Sequence, residues 1–235
     1  AINLTIGPDG NIWFVGNQVG KITPRGVVTL FDNPIGFTLV ADVGITLGKD
    51  GNLWTADNIS VVKITPEGMF TRFYLPEGGH NPYDFITGPD GNVWFTDTYA
   101  SMGTTRGNKI VKVTPEGVIT EFSPPTTECQ PSGLTVGVDG NIWFTEAQGN
   151  KIGRITTSGV ITEFDIPTAD SLPYRITTGP DGNLWFTEHK GNKIGKIGCS
   201  SNAVCGKPVC GNGTKEGDEE CDDSNIADAD GCSSK

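Results

Sequence analysis

No long apolar run occurs anywhere in this 235-residue chain, which excludes a transmembrane helix. Basic residues are scarce as well: 17 Lys and Arg stand against 28 Asp and Glu, for a net charge of −11. Such an acidic surface repels nucleic acid and anionic membranes, so neither is expected as a partner. With only two histidines, His80 and His189, there is no His-Glu-x-x-His zinc sequence; a Ser-His-Asp order and a phosphate-binding glycine loop are missing too. Cysteine is nearly absent from the first 198 residues, where Cys129 stands alone. Helical periodicity is missing throughout. The chain opens on Ala1-Ile2-Asn3 with no signal peptide, as expected of a mature or excised piece.

What is present in quantity is turn chemistry. The 33 Gly and 15 Pro recur at regular places, which marks hairpins rather than disorder. All five tryptophans (Trp13, Trp54, Trp94, Trp143, Trp185) follow an Asp-Gly-Asn triplet, at spacings of 41, 40, 49 and 42 residues. The long spacing reflects an insertion around Ser101–Arg106. A period of this length with five matches is a repeat architecture. In the fourth unit, Gly133–Val136, Asn141–Thr145, Lys151–Ile155 and Val160–Phe164 read as four short strands, with Gly at the Asp-Gly and Thr-Pro-Glu-Gly turns supplying positive φ. Four-stranded units repeated in this way predict an all-β fold, a β-propeller whose tryptophans pack between blades. Whether five blades close alone or belong to a larger ring stays open.

Charge and cysteine divide the chain. Residues 199–235 hold eight acids against three lysines, and five of the six cysteines. A propeller over 1–198 and a small cysteine-rich acidic module over 199–235 are therefore expected. The fifth unit stops after Lys193–Ile197 without the Val-Ile-Thr-Glu-Phe strand found at 118–122 and 160–164. Either native sequence upstream of Ala1 supplies that strand, or the tail substitutes for it.

Strand two ends in an acid in four of five units: Asp57, Asp97, Glu146 and Glu188. Propeller topology brings these ends to one face, together with His80, Tyr83, Tyr174, Arg175 and His189. Convergent carboxylates can hold a hard cation or recognise a cationic group, and either histidine can act as a base within reach of a substrate proton. The competing reading is structural, each acid capping its own loop.

The units at 138–168 and 179–197, with their shared Asp-Gly-Asn-x-Trp-Phe-Thr-Glu and Gly-Asn-Lys-Ile-Gly sequences, resemble the virginiamycin B lyase family over residues 1–198. That resemblance implies a propeller and elimination across an ester C–O bond of a cyclic depsipeptide, with magnesium and a histidine base. It places the base directly after the proline opening strand one, where this chain has Val43, Tyr83, Ser132 and Tyr174.

The tail, Cys210-Gly-Asn-Gly to Cys221-Asp-Asp-Ser-Asn and Asp230-Gly-Cys232-Ser-Ser, resembles a short disulfide-rich repeat of secreted myxobacterial proteins. So small a module needs disulfides, and a cation would help hold it. Cys199–Cys205 and Cys210–Cys221 are the expected pairs, among connectivities that sequence leaves open. Asp222, Asp223, Asn225, Asp228 and Asp230 form a candidate calcium cluster by the density of oxygen donors.

Three functions fit these features. The expected one is a secreted or cell-surface propeller acting as a non-catalytic binding or scaffolding module for a glycan, peptide or protein. The second is a magnesium-dependent lyase using Glu146, Glu188 and His189. The third is a repeat unit of a larger extracellular assembly, built by self-association or with other surface proteins.

Overall fold

The computed structural model describes residues 3–16, 18–32, 36, 43–76, 80–98, 107–199 and 205–210. The expected calcium cluster falls outside them, as does Cys221, the expected partner of Cys210. Among the described residues every regular element is a β-strand. Twelve strands lie in the first compact unit, Ala1–Ser123: β1 (Asn3–Ile6), β2 (Ile12–Val15), β3 (Val19–Ile22), β4 (Val28–Phe31), β5 (Thr46–Leu47), β6 (Leu53–Ala56), β7 (Ser60–Ile64), β8 (Phe70–Tyr74), β9 (Pro82–Thr87), β10 (Val93–Asp97), β11 (Lys109–Val113) and β12 (Ile119–Phe122). The second unit, from Pro124 on, holds β13 (Pro131–Val136), β14 (Ile142–Glu146), β15 (Lys151–Ile155), β16 (Ile161–Asp165), β17 (Pro173–Thr178), β18 (Leu184–Glu188), β19 (Lys193–Cys199) and β20 (Cys205–Cys210). They form five antiparallel four-stranded sheets in sequence order, three in the first unit and two in the second. These are the blades of a β-propeller, as the repeat predicts.

The strand missing from the fifth repeat comes from the tail. β20 pairs with β19, and a Cys199–Cys205 disulfide closes the connection between them. This is one of the two expected pairs. Pro208, which lacks a backbone donor, is accommodated because β20 lies at the end of its sheet's strand order.

The Asp-Gly-Asn triplet does more than turn the chain. In every blade the aspartate Oδ1 accepts the indole N–H of the tryptophan four residues on, at 3.0 to 3.3 Å. The asparagine backbone N–H donates to the same oxygen, and its side-chain amide donates to Oδ2. The buried indole is thereby left with no unpaired donor. At Asp9, hydrogen bonds from Lys21, Trp13 and Asn11 outweigh the opposing effect of burial and hold the carboxyl well below the usual carboxylate range.

Each of the first four indoles stacks on the phenylalanine of its own fourth strand: Trp13 on Phe31, Trp54 on Phe73, Trp94 on Phe122 and Trp143 on Phe164. Lys21, Lys63, Lys112 and Arg154 lie over these pairs. Inside the first unit the stack of one blade docks on the Thr-Pro-Glu-Gly turn of the next. Lys63 Nζ donates to the Pro115 carbonyl at 3.0 Å, and a methyl group on Gly117 would fall within the Phe73 ring.

Gly117 also has φ +89°, so Gly117→Ala combines steric overlap with a left-handed backbone. It should cost about 2–4 kcal/mol. Gly140→Ala, at φ +69° but facing open space, should cost only about 1–2 kcal/mol. Thermal melts of the two variants check the difference, and equal losses would remove the packing role of Gly117.

Candidate functional site

Asp97, Glu146 and Glu188 each sit where strand two of the blade ends, opposite the start of strand one, and Asp57 directly follows its strand two. Register places Asp97 across from Pro82, Glu146 across from Pro131, and Glu188 across from Pro173. The carboxylates are buried, at 3% exposure or less for Asp57, Asp97, Glu146 and Glu188, so they act inside their blades.

In the first unit both acids are fully engaged. Asp57 accepts from the Ile59 N–H and the Ser60 hydroxyl, closing its own hairpin, and pairs with Arg72 at 3.0 Å. Asp97 takes the Asn81 backbone N–H at 2.7 Å and His80 Nδ1 at 2.6 Å. The other ring nitrogen of His80 faces the Pro76 carbonyl at 2.8 Å. A ring with an acceptor at each nitrogen is best satisfied as the imidazolium. The hydrogen bond to Asp97 accordingly raises the His80 pKa against the opposing effect of burial. His80 is thus a buried ion-pair partner. Tyr83 is half-buried on β9, its carbonyl accepting from the Gly44 N–H.

The second unit holds two glutamates in a different state. Neither carboxyl oxygen of Glu146 or of Glu188 has a hydrogen-bond donor at close range. Glu146 lies against the Cys129 thiol, a weak donor, and the Glu163 carboxylate, which can only accept. Burial, then the charge of Glu163, push its pKa from 4.5 up to about 8, with Lys151 opposing. Both effects favour the protonated form of Glu146. Glu163 in turn accepts from the Thr126 N–H and hydroxyl at 2.8 and 2.7 Å. Gly149 is part of the arrangement: a Cβ there would sit 2.8 Å from Glu146 Oε2 and 3.1 Å from Cys129 Cβ. Glu188 occupies the equivalent place beneath Gly191, beside Thr168.

One local pattern was not anticipated from sequence. Cys129 and Ser171 each stand two residues before the strand-one proline, and left-handed residues flank both: Glu128 and Gln130, Asp170 and Leu172. This backbone turns the Cys129 and Ser171 carbonyls onto paired N–H groups, Gln148 with Gly149 and Lys190 with Gly191. Asn150 completes the clasp, accepting from the Ser171 N–H and hydroxyl and donating to the Ile166 and Thr168 carbonyls. His80 fills the same sequence position in the third blade. The shared spacing of His80, Cys129 and Ser171 to Pro82, Pro131 and Pro173 was the signal available.

The exposed candidates gather on the fifth blade. Tyr174 and Arg175 open β17, and His189 follows β18. The Tyr174 and His189 rings lie 6.3 Å apart at 44°, and Tyr174 is 38% exposed. The His189 backbone N–H donates to the Leu172 carbonyl, and that of Arg175 to the Thr187 hydroxyl.

Among the described residues no three His, Cys, Asp or Glu side chains converge on a metal position.

The model of the virginiamycin B lyase family matches residues 1–104 and 101–206. The chain belongs to the virginiamycin B lyase family. Among solved structures, virginiamycin B lyase from Staphylococcus aureus is 39% identical with a TM-score of 0.74, over 87% of this chain and 68% of that one. A catalytically inactive histidine-to-alanine variant of the Staphylococcus aureus enzyme with quinupristin gives 38% identity and a TM-score of 0.75, over 88% and 69%. The calcium-binding protein regucalcin from Agrobacterium tumefaciens shares the fold at 15% identity, with a TM-score of 0.62 over 88% and 72%. A model described as a domain of unknown function (DUF4215) matches residues 195–234. No curated protein sequence matches the chain.

Stability should follow the buried acid. Glu146 binds a proton in the folded chain over a range where the unfolded chain has released it, so its contribution is complete below pH 4.5 and is lost as pH rises towards 8. His80, with its raised pKa, loses its contribution in the same direction. Melting temperature should therefore fall with rising pH across this window. Glu146→Gln, which removes this titration, should flatten the decline and leave only the part due to His80. A profile unchanged by that substitution would remove Glu146 as the titrating group.

Proposed function

We propose that this chain is a non-catalytic, ligand-binding propeller of the virginiamycin B lyase family, secreted or held at a cell surface, with its recognition surface on the fifth blade. One observation carries the reading. Where family resemblance places a histidine base, the residues are Val43, Tyr83, Ser132 and Tyr174, and only Tyr174 is exposed, its ring beside His189 and its neighbour Arg175 at the surface. An aromatic pair flanked by a guanidinium suits a peptide ligand bearing aromatic and carbonyl groups, by stacking and hydrogen bonding rather than proton abstraction. The Cys199–Cys205 disulfide suits an oxidising compartment.

A second reading, a magnesium-dependent C–O lyase, draws on the 39% identity to the Staphylococcus aureus enzyme. It needs His189 as the base with Glu146 and Glu188 near it, whereas both carboxyl groups are buried within their blades.

Quinupristin decides between them. Incubated with the protein and magnesium, it should be recovered as the intact ring by chromatography and fragmentation, and calorimetry should register binding that weakens about tenfold in Tyr174→Ala. Appearance of the linear, unsaturated isomer would overturn the proposal in favour of the lyase. Binding indifferent to Tyr174→Ala would remove the fifth-blade surface.

A further inference from the structure

The loop that enters the fourth blade, residues 124–130, is anchored at both ends. Thr126 donates its backbone N–H and its hydroxyl to the two oxygens of Glu163 on β16, at 2.8 and 2.7 Å. Further along, the Cys129 carbonyl accepts from the Gln148 and Gly149 N–H groups at 3.0 and 3.2 Å, and the Gln130 carbonyl from the Ala147 N–H at 3.0 Å. On either side of Cys129 the backbone is left-handed, with φ 54° at Glu128 and 55° at Gln130, a conformation that L side chains adopt at a cost. The closed loop therefore depends on its anchors, because its own backbone preference opposes it.

Beneath the loop the charges do not balance. Cys129 is fully buried and outside any disulfide. Its thiol lies against Glu146, also fully buried, neither of whose oxygens has a donor at close range. The other groups acting on Glu146 are Glu163 on β16, which carries the Thr126 anchor, and Lys151, directly across on β15. Lys151 is committed outward, to the exposed carboxylate of Asp165 at 2.5 Å, and Glu128 of the loop itself is exposed. An ionised Glu146 thus sets a second, unsolvated negative charge beside the carboxylate that holds Thr126. In the third blade the corresponding acid, Asp97, meets the His80 ring at 2.6 Å instead.

We propose that residues 124–130 form a proton-controlled cover over the Cys129 thiol, closed on the neutral acid of Glu146 and opened by its ionisation beside Glu163. Opening lets the Glu146 carboxylate reach water and frees both anchors. The closed form binds a proton over the range in which the open form has released it, so opening grows from about pH 5 and levels above about pH 8. The uncovered thiol is available for exchange with a low-molecular-weight disulfide. Its thiolate attacks one sulfur, the mixed disulfide forms, and the other half departs as a thiolate. Cys129 is thereby a modification site gated by pH. This inference is independent of the ligand proposed for Tyr174 and His189, which lie on the fifth blade.

Amide hydrogen exchange of the intact chain, followed by mass spectrometry and corrected for the intrinsic rate at each pH, tests the cover. Amides of residues 126–130 and of Gln148 and Gly149 should exchange through an opening of their own. That opening should be faster than exchange in β14 and β15 and indifferent to sub-denaturing urea, because a loop movement exposes little surface. Protection and urea response shared with β14 and β15 would overturn the proposal, since only the whole sheet would then open. In the native chain the loop opening should increase by about tenfold per pH unit between pH 5 and 8. Glu146→Gln should abolish that rise; a rise that survives the substitution, or no rise in the native chain, overturns control by Glu146. Thr126→Val removes one anchor and leaves Glu146 in place, so it serves even where Glu146→Gln does not fold. It should open the cover about tenfold more often at pH 6, and an unchanged opening would overturn the anchor. With oxidised glutathione at pH 8, the peptide spanning Cys129 should gain a mixed disulfide at least about tenfold faster in the native chain than in Glu146→Gln. A thiol left unmodified while the loop opens would overturn its role.

Discussion

The hydrogen bond from a buried indole N–H to an aspartate four residues earlier is the constraint on which each blade depends. A tryptophan placed between sheets buries a large apolar surface but brings a donor that cannot go unpaired in that environment. The Asp-Gly-Asn turn places the acceptor beside it, and glycine gives that turn its positive φ. The asparagine then satisfies the remaining carboxylate oxygen. Further contacts follow by register: the cation across from the tryptophan, the phenylalanine stacked on each of the first four indoles and, for the first two blades, the proline turn of the next blade that receives them. Deleting one carboxylate therefore affects the turn, the indole and the interface together.

The same register explains what could be read from sequence. Tryptophan spacing, the Asp-Gly-Asn triplets and alternating strands are local, so they specify strand number, order and hairpin type. β20 was less legible. Cys-Gly-Lys-Pro-Val-Cys contains a proline and a glycine, carries little strand preference, and is tied to β19 by a disulfide as well as by a ladder. Its membership of the fifth sheet is a tertiary fact. The burial of Asp57, Asp97, Glu146 and Glu188 was likewise hidden. Sequence shows that an acid ends strand two, but the loop that folds over it is set by left-handed residues such as Gln130 and Leu172, whose side chains do not announce that conformation.

Those loops give one architectural position three chemistries. Against the terminal acid of strand two, the third blade sets His80 and makes an ion pair with Asp97. The fourth sets Cys129, and burial beside Glu163 raises the pKa of Glu146. The fifth sets Ser171, which turns to Asn150 and leaves Glu188 without a donor at close range. The imidazole of His80 meets the buried Asp97 carboxylate directly, whereas burial and the charge of Glu163, not the residue before the proline, raise the pKa of Glu146.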